Sequence, residues 1–545
     1  MTADSTRADQ VARDDAHLRS LGIKPELRRT LGFLSNFAVA FSYISVSTGT
    51  FTNQAVAFGV GGPAIFWAWP LVILGQTFVA LNFAELSSHF PVAGSIYQWS
   101  KRLSNKTLGW FTGWIYFWAG VVTVTAVAAT VPLVLSTLMN FDLASTSPLG
   151  FLDMWQFVGL LALLTTTLIN IEGVRLLALL NNIGVAAEII GMVVFALILL
   201  FFANHQSPAI LFDTSYTANL APGAGYLPIF LVGMFMALFV VYGFDTAGTF
   251  GEETVDAGRQ APRGVLSAIW LSGLVGGIFL LAVTLSFRDV AATVKTAQAF
   301  GFPIADTIKQ NLTFSFGFAD MGQLYLFMIL VAVYVCTLAI QGATLRLMFS
   351  MGRDRRLPFG GAWGSVNPTF RTPANAAIAV GVLGALPLIV MGAGASIYLA
   401  IAATGMIYLS YFLCNLGVLV ARTRGWPHKG AWFSLGSWGT ILNILALIWG
   451  GLMVINIGIW TSSIFGVFGN DLRNTWSNPF INTFLAFGKN PDGTANVLKG
   501  LPSWPVFETL VGLVVIVGLI YYLAVQRGRE DRVEADLATG EAVIA

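Results

Sequence analysis

Two carboxylic acids lie inside long apolar stretches of this chain, where charged groups are least expected. Asp245 follows an apolar run at 230–240 and has three glycines near it in the sequence. Glu188 lies within a second apolar stretch at 176–203. Because an ionisable group at membrane depth is costly, such residues indicate a transport pathway or a proton relay. Both are therefore candidate proton-coupling residues, although either could instead bond a neighbouring helix or the backbone freed at a helix break.

Two of the apolar stretches carry interruptions that should break a helix. In one, three glycines and Asp245 fall between residues 241 and 253. In the other, the segment 42–53 is rich in Ser and Thr and contains a single glycine, Gly49. Broken helices at membrane depth persist only where the freed backbone is buried in protein or lines a cavity, and they build the central site of many secondary transporters. Each interruption alone could also serve close helix packing, for which small residues are used in membranes.

The elements that position these residues are predicted to be transmembrane helices. Of 545 residues, 56% are hydrophobic and 10% are charged, and the mean hydropathy is +0.74, whereas soluble domains have about 25% charged residues. Stretches long enough to cross a hydrocarbon core of about 30 Å recur twelve times along the chain. They lie at 33–59, 64–87, 108–138, 154–171, 176–203, 226–250, 264–287, 321–350, 374–392, 396–421, 433–460 and 505–526. We expect an all-α integral membrane protein that needs no nucleic acid, metal or cofactor.

Lysine and arginine positions predict which loops face the cytoplasm, because cytoplasmic loops are enriched in these residues. The loops at 139–153, 204–225 and 393–395 contain neither residue, whereas the loop at 351–373 carries four arginines. Both termini are therefore expected in the cytoplasm.

The interruptions in the first and sixth spans predict two inverted five-helix repeats, since paired breaks at corresponding positions are the mark of this arrangement. The expected organisation is a cytoplasmic N-terminal tail at 1–32, a first repeat at 33–203, a second repeat at 226–421, two further helices within 433–526 separated by an extracellular loop at 461–504, and a cytoplasmic tail at 527–545.

Three motifs in the chain resemble those of one known family of transporters. The sequence Tyr-Gly-Phe-Asp at 242–245, followed by Glu252-Glu253 and by Ala-Pro-Arg-Gly at 261–264, is similar to the family's sixth span and the loop after it. The segment 90–97 resembles its Pro-x-Ala-Gly-Gly-x-Tyr motif, with Ser95 in place of the second glycine.

The third match, at 350–358, resembles the end of the family's eighth span. The three motifs occur in the family's order over about residues 30 to 425, and together they resemble the amino acid/polyamine/organocation transporter superfamily. Segments 41–49 and 61–70 look most like the amino acid/choline transporter branch, which includes 4-aminobutyrate (GABA) and choline permeases. The resemblance implies the LeuT-like fold, with broken helices 1 and 6 and two additional C-terminal helices.

A zwitterionic substrate would find complementary ends at two broken helices, because free backbone NH groups attract a carboxylate and free carbonyl groups attract an ammonium. We assign the carboxylate side to Ser45, Thr48, Gly49 and Thr50, and the other side to Phe239, Tyr242, Gly243 and Phe244, with Gln341 as a further polar residue. The resemblance places an aromatic gate near Phe239. It also places Glu188 where some proton-coupled relatives carry an ionisable group.

These features predict a secondary active transporter that imports a small α-amino acid, GABA or a related amine by alternating access. Symport with protons is favoured over sodium, and the cell's inner (cytoplasmic) membrane is the expected location. An exchanger of the same fold is the nearest alternative, and a non-transporting sensor or an intramembrane enzyme are others. An enzyme would need a catalytic cluster, such as a His-acid pair, and the apolar stretches show none. The sequence leaves the substrate and the oligomeric state open.

Overall fold

The computed structural model describes residues 3–220, 225–316, 319–390, 396–427, 431–459 and 506–527, which are almost entirely α-helical. The first helices are α1 (Ala3–Ser20), α2 (Phe33–Ile44), α3 (Val46–Gly61), α4 (Ala68–His89), α5 (Ser95–Leu103), α6 (Lys106–Ala128), α7 (Thr130–Met139), α8 (Met154–Glu172) and α9 (Val174–Phe202). They are followed by α10 (Leu227–Gly233), α11 (Phe235–Val240), α12 (Thr246–Thr249), α13 (Ala257–Leu285), α14 (Val290–Gln298) and α15 (Pro303–Asn311). The two-residue strands β1 (Ser315–Phe316) and β2 (Ala319–Asp320) pair antiparallel. The remaining helices are α16 (Met321–Arg353), α17 (Gly360–Trp363), α18 (Ala374–Val390), α19 (Ser396–Thr423), α20 (Gly439–Ile459) and α21 (Val506–Tyr521).

Helical segments coincide with all of the predicted spans. In the described part of the chain, eight helices are long and apolar enough to cross a membrane: Pro63–His89, Lys106–Met139, Met154–Glu172, Val174–Phe202, Ala257–Leu285, Met321–Arg353, Ile397–Thr423 and Gly436–Gly458. Three shorter apolar helices, at Leu227–Val240, Ala374–Val390 and Leu510–Gln526, and the pair α2 and α3 lie at the other predicted positions. The predicted all-α membrane fold is confirmed. The loop predicted at 461–504 and the tail from 528 onward lie outside the described residues.

A helix also occupies part of the segment expected to be an N-terminal tail. Its polar sequence gives no apolar stripe, so the pattern did not predict it. α1 nevertheless docks onto the bundle, because Leu18 and Ile23 pack against Val92 and Asp15 accepts a 2.9 Å hydrogen bond from Arg29.

The first broken helix changes direction at a single residue, Ser45. Its backbone is left-handed, with φ 33°, so that it ends α2 and begins α3. Its NH group donates to the carbonyl of Phe41 at 2.8 Å, and its hydroxyl accepts from the NH group of Thr48 at 3.4 Å. One residue thus satisfies backbone groups on both sides of the break, which is needed where water is excluded.

The second break extends over residues 241–245, between α11 and α12. Gly243 has φ 90°, and its NH group donates to the hydroxyl of Tyr411 at 2.9 Å. A Cβ atom at this position would lie 1.9 Å from Cδ1 of Tyr43 on α2. Glycine is therefore required both by the backbone conformation and by the close approach of the two broken helices.

The break residues lie in the interior of the helix bundle. α2 packs against α9, α13 and α16, and α11 packs against α3. Only 33% of an 18-residue apolar stretch within α9 is buried, which is expected for a helix with one face toward lipid. Glu188 is 1% exposed, so it lies on the buried face of this otherwise peripheral helix.

Replacing Gly243 by Ala should destabilise the protein by about 1–3 kcal/mol, the usual cost of overpacking, because the new methyl group meets the Tyr43 ring. The measurement is unfolding of the purified protein in mixed detergent micelles. Gly361→Ala is the matched control, since a Cβ there meets no atom within 4 Å. Equal stability of the two variants would contradict the close approach of the broken helices.

Candidate functional site

The side chain of Glu188 reaches across from α9 to the break in the first span. Its Oε1 atom accepts hydrogen bonds from the hydroxyl of Ser45 at 3.1 Å and from the NH group of Ser47 at 2.9 Å. Its Oε2 atom is buried and has no hydrogen-bond partner among the described residues. The carboxylate therefore occupies the N-terminus of α3, where free NH groups and the helix dipole favour negative charge.

The hydroxyl groups assigned to this side of the site are engaged with the break itself. Thr48 Oγ1 lies 2.7 Å from Ser45 Oγ. Since Ser45 donates its proton to Glu188, the Thr48 hydroxyl acts as donor in this contact. Thr50 Oγ1 instead donates to the carbonyl of Val46 at 2.7 Å, within its own helix. Ser45 and Thr48 thus join Glu188 in one network, and Thr50 lies outside it.

Gly49 provides close contact between the two broken helices. A Cβ atom on this residue would lie 2.3 Å from Cγ2 of Val240 and 3.4 Å from the ring of Phe239. The structure therefore brings Gly49 to the residues at the end of α11. On the opposite side of the first break, Cys336 of α16 contacts the carbonyl oxygen of Tyr43, with Sγ at 3.5 Å.

Asp245 holds the second break by three hydroxyl groups from three different helices. Ser95 donates to its Oδ2 at 2.9 Å, Tyr116 lies 2.8–2.9 Å from both carboxylate oxygens, and Tyr411 donates to Oδ1 at 2.5 Å. Tyr411 also accepts from the NH group of Gly243. All three side-chain partners are hydroxyl groups, each of which can donate to a carboxylate. These partners could not be predicted from the sequence, because each lies at least 129 residues from Asp245 along the chain.

Three aromatic rings gather where the broken helices meet. The rings of Tyr43 and Tyr242 lie edge to face with centroids 6.2 Å apart, and those of Phe239 and Tyr242 with centroids 5.8 Å apart. The hydroxyl of Tyr242 is buried and has no hydrogen-bond partner in the described chain. We call Tyr43, Phe239 and Tyr242 the aromatic group of the site.

The other two residues assigned to the pocket face elsewhere. Phe244 packs its ring against Phe83 and Tyr411, with centroids 6.0 and 5.5 Å away, and so belongs to the support around Asp245. Gln341 donates from Nε2 to Thr167 of α8 at 2.6 Å. This hydrogen bond is directed toward α8 and not toward the two breaks.

Buried ion pairs close one end of the site. Arg346 of α16 forms a two-point ion pair with Glu253, its guanidinium lies 3.7 Å from the centroid of the Phe250 ring, and both charged side chains are at most 2% exposed. About two turns further along α16, Arg353 binds both oxygens of Glu252 at 2.9 and 3.1 Å. The guanidinium of Arg346 is thus engaged within the protein, by Glu253 and by the ring of Phe250.

The same region joins the three sequence motifs. Glu252 Oε1 also accepts from the NH group of Ala93 at 3.0 Å, so segment 90–97 contacts the loop after the sixth span. Arg29 adds the N-terminal segment by donating to the carbonyls of Gly251 at 3.0 Å and Thr254 at 2.7 Å. The motifs therefore form one closed contact region at this end of the bundle.

The helices α14 and α15 cover the other end of α3. The ring of Phe302 stacks on that of Phe51 with centroids 4.8 Å apart. The NH group of Ile304 donates to Gln54 Oε1 at 2.7 Å, and Gln298 donates to the carbonyl of Gly59 at 3.0 Å. Side chains of the described residues thus cover the region of the two breaks at both of its ends.

Comparisons with known proteins agree in the kind of protein they identify. The model of a family described as amino acid permease matches residues 31–488. The amino-acid permease BAT1 homolog of Oryza sativa subsp. japonica is 30% identical over 448 residues, which are 80% of this chain and 85% of that protein. Amino-acid permease BAT1 of Arabidopsis thaliana is 28% identical over 450 residues, or 79% and 86% of the two chains.

Two further likenesses extend the comparison. The low-affinity putrescine importer PlaP of Escherichia coli strain K12 is 26% identical over 377 residues, covering 67% of this chain and 75% of the importer. The crystal structure of MhsT in complex with L-phenylalanine is similar with a TM-score of 0.55 and 14% identity, over 80% of this chain and 99% of MhsT. At that identity the likeness concerns the fold alone, and it supports the LeuT-like arrangement.

Breaking the buried pair of Arg346 and Glu253 from either side should cost about 3–5 kcal/mol of stability, because the remaining charge is left buried without a partner. Glu253→Gln and Arg346→Met should each show this loss in detergent unfolding, and the double variant should lose clearly less than the sum. Lys24→Gln, at an exposed pair with Glu26, is the control and should change stability by about 0–1 kcal/mol. Additive losses would show that the two side chains are not coupled.

Proposed function

The chain belongs to the amino acid permease family, and from this we propose that it imports a small amino acid or amine by alternating access, with a proton as the coupling ion. The observation that carries the proposal is the buried carboxylate of Glu188 inside the first break, bonded to Ser45 and Ser47. The protein is a multi-pass membrane protein of the transporter class and not an enzyme. Its substrate, its coupling ion and its location in the cell's inner (cytoplasmic) membrane are proposals.

The substrate would lie between the two breaks. Its carboxylate would bind the N-terminus of α3 near Ser45, Thr48 and Gly49, where NH groups favour an anion. Its ammonium would lie toward the carbonyl groups of Val241 and Tyr242, and against the aromatic group, where a cation–π contact contributes about 0.5–2 kcal/mol. The relatives named as amino-acid permeases and as a putrescine importer support a substrate with an ammonium group.

A proton suits the surroundings of Glu188 better than a sodium ion does. The two groups bonded to its Oε1 atom are both hydrogen-bond donors, and donors disfavour a neighbouring cation. Sodium is a hard cation that, like calcium, is held by several oxygen acceptors directed at one point. A proton needs one oxygen, and it removes the cost of keeping a charge at membrane depth.

Asp245 is the second proton-coupling candidate. Its three hydroxyl donors support a role in holding the break, since a carboxylate that already accepts from Ser95, Tyr116 and Tyr411 is stabilised in its ionised form. The unpartnered Oε2 of Glu188 has no such restraint. We therefore prefer Glu188 as the group that gains and loses the proton, with Asp245 keeping the geometry of the sixth span.

Alternating access would open the two covered ends in turn. Opening toward the cytoplasm would separate Arg346 from Glu253 and Arg353 from Glu252, because these pairs join α16 to the loop after the sixth span. The moving unit would come from the two repeats, at 33–203 and 226–421, with the helices within 433–526 outside them. The arginine-rich loop at 351–373 supports a cytoplasmic position for this end and for both termini.

Glu188→Gln should abolish stimulation of uptake by a proton gradient while exchange of substrate stays detectable, because the amide binds the break but cannot carry a proton. The measurement is uptake of radiolabelled GABA, choline, putrescine and a set of α-amino acids into sodium-free proteoliposomes, with and without an inward proton gradient. Glu172→Gln is the control, since Glu172 ends α8 away from the breaks. Gradient dependence that survives in Glu188→Gln would remove this residue from the coupling role.

The same uptake assay separates the alternatives for wild-type protein. Accumulation that requires the gradient indicates symport with protons. Exchange only after preloading the vesicles indicates an exchanger, and the absence of both flux and exchange with binding retained indicates a sensor.

Phe239→Ala should weaken substrate binding by about 2- to 30-fold, the range that corresponds to one cation–π contact. Binding to the purified protein is the direct measurement. Phe327→Ala is the matched control, because Phe327 lies on α16 and is 57% exposed. Wild-type affinity in Phe239→Ala would show that this ring does not contact the substrate.

A further inference from the structure

The place proposed for a substrate carboxylate is already occupied by a carboxylate of the protein. The hydroxyl of Ser45 and the NH group of Ser47 both donate to Oε1 of Glu188. The NH group of Thr48 is bonded to Ser45 Oγ. A substrate carboxylate that binds the first turn of α3 would therefore meet donors that Glu188 now uses.

No cation in the described chain is placed to hold two carboxylates at this position. Within the described residues, Glu188 has no hydrogen bond or ion pair with Lys, Arg or His, and the cations of α16, Arg346 and Arg353, are paired with Glu253 and Glu252. The titratable groups that face it are the thiol of Cys336 on α16 and, beyond that, the phenol of Tyr43 on α2.

The other helices packed against α9 bring no charge to the break. α13 carries its only charged residues, Arg259 and Arg263, at its start, where Arg263 lies 4.6 Å from the ring centroid of Phe33. α8 has Glu172 as its only charged residue, at its last position. Two unit charges about 4 Å apart interact by about 4 kcal/mol at an effective dielectric constant of 20, so two anions at this break would repel each other strongly.

We infer that Glu188 and the substrate carboxylate compete for the same donors at the N-terminus of α3, so that a carboxylate substrate binds only when Glu188 carries a proton. This inference rests on the proposed function and specifies how coupling arises. The proton binds Oε2 of Glu188, the oxygen without a hydrogen-bond partner. Glu188 then becomes a neutral acid, its hold on Ser47 weakens, and the substrate carboxylate accepts the hydrogen bond instead.

The proton balance follows directly. One proton joins Glu188 for each carboxylate that binds, and it leaves to the cytoplasm when the substrate departs and Glu188 returns to Ser47 as an anion. A substrate that lacks a carboxylate does not need to displace Glu188. Its binding should therefore not require the proton, and the carboxylate of the substrate becomes the feature that determines coupling.

The test compares ligands that differ only in the carboxylate. GABA is paired with 4-aminobutanamide, and L-alanine with L-alaninol, and binding to the full chain in nanodiscs is measured between about pH 6 and pH 8. Linkage of one proton predicts that the affinity for the carboxylate of each pair falls by up to about tenfold per pH unit at the alkaline end. The affinity for the partner without a carboxylate should change by less than about twofold.

Glu188→Gln should remove the pH dependence of carboxylate binding and leave binding of the ligands without a carboxylate unaffected, whereas Glu172→Gln should keep the wild-type profile. A merely structural role of Glu188 would change the affinities for both ligands together and leave the dependence of carboxylate binding on pH unchanged. Carboxylate binding with the same pH profile as the ligand without a carboxylate overturns the competition. Binding of the ligand without a carboxylate that becomes tighter as pH rises also overturns it, and makes Glu188 the counter-ion of the ammonium.

The experiments distinguish failure of the proposed function from failure of this inference. If none of the four compounds binds, and none of the compounds in the uptake panel is bound or exchanged, both proposals are wrong. If the compounds bind and are transported without the predicted difference in pH dependence, transport stands and only the competition is refuted.

Discussion

The structure depends on the hydrogen bond from the NH group of Ser47 to the carboxylate of Glu188. A helix that breaks inside a membrane leaves NH groups that neither lipid nor water satisfies, and each such group costs several kcal/mol. Here a neighbouring helix supplies a carboxyl oxygen to one of them, and such a hydrogen bond contributes about 0.5–1.5 kcal/mol, or about 1.5–3 kcal/mol where the acceptor is charged. The bond fixes α9 beside the first break and places an ionisable group at the point where a ligand carboxylate would bind.

The second break is held in a different way. Asp245 gathers hydroxyl groups from α5, α6 and α19, and Tyr411 connects it back to the backbone at Gly243. All of these partners are hydroxyl groups that can donate to the carboxylate. One carboxylate has an unpartnered oxygen among the described residues and the other has three hydroxyl partners, and on this difference we propose Glu188 as the group that exchanges a proton.

Much of this arrangement could be predicted from the sequence, because it depends on local pattern. The length and apolarity of the spans, the glycines near Asp245 and the hydroxyl run near Gly49 each predicted an element that the structure contains. Glu188 could be predicted as a functional residue because a carboxylate within an apolar span is energetically costly. The helix α1 could not be predicted, since it is held by contacts such as Asp15 with Arg29 and not by an apolar stripe.

Which way a side chain points was also beyond the sequence. Phe239 and Phe244 are equally aromatic and lie near the same break, yet Phe244 packs against Phe83 while Phe239 joins the aromatic group. Gln341 is a polar residue in an apolar span, as Glu188 is, but its partner is Thr167. These differences arise from helix rotation and from neighbours distant in sequence.

Proton uptake on substrate binding tests the central claim most directly. Calorimetric titration of the purified protein with GABA or L-alanine, in two buffers of different ionisation enthalpy at slightly alkaline pH, gives the number of protons taken up per ligand bound. The account predicts an uptake that approaches about one proton for wild-type protein and close to none for Glu188→Gln. Binding without proton uptake, or equal uptake in both proteins, would contradict it.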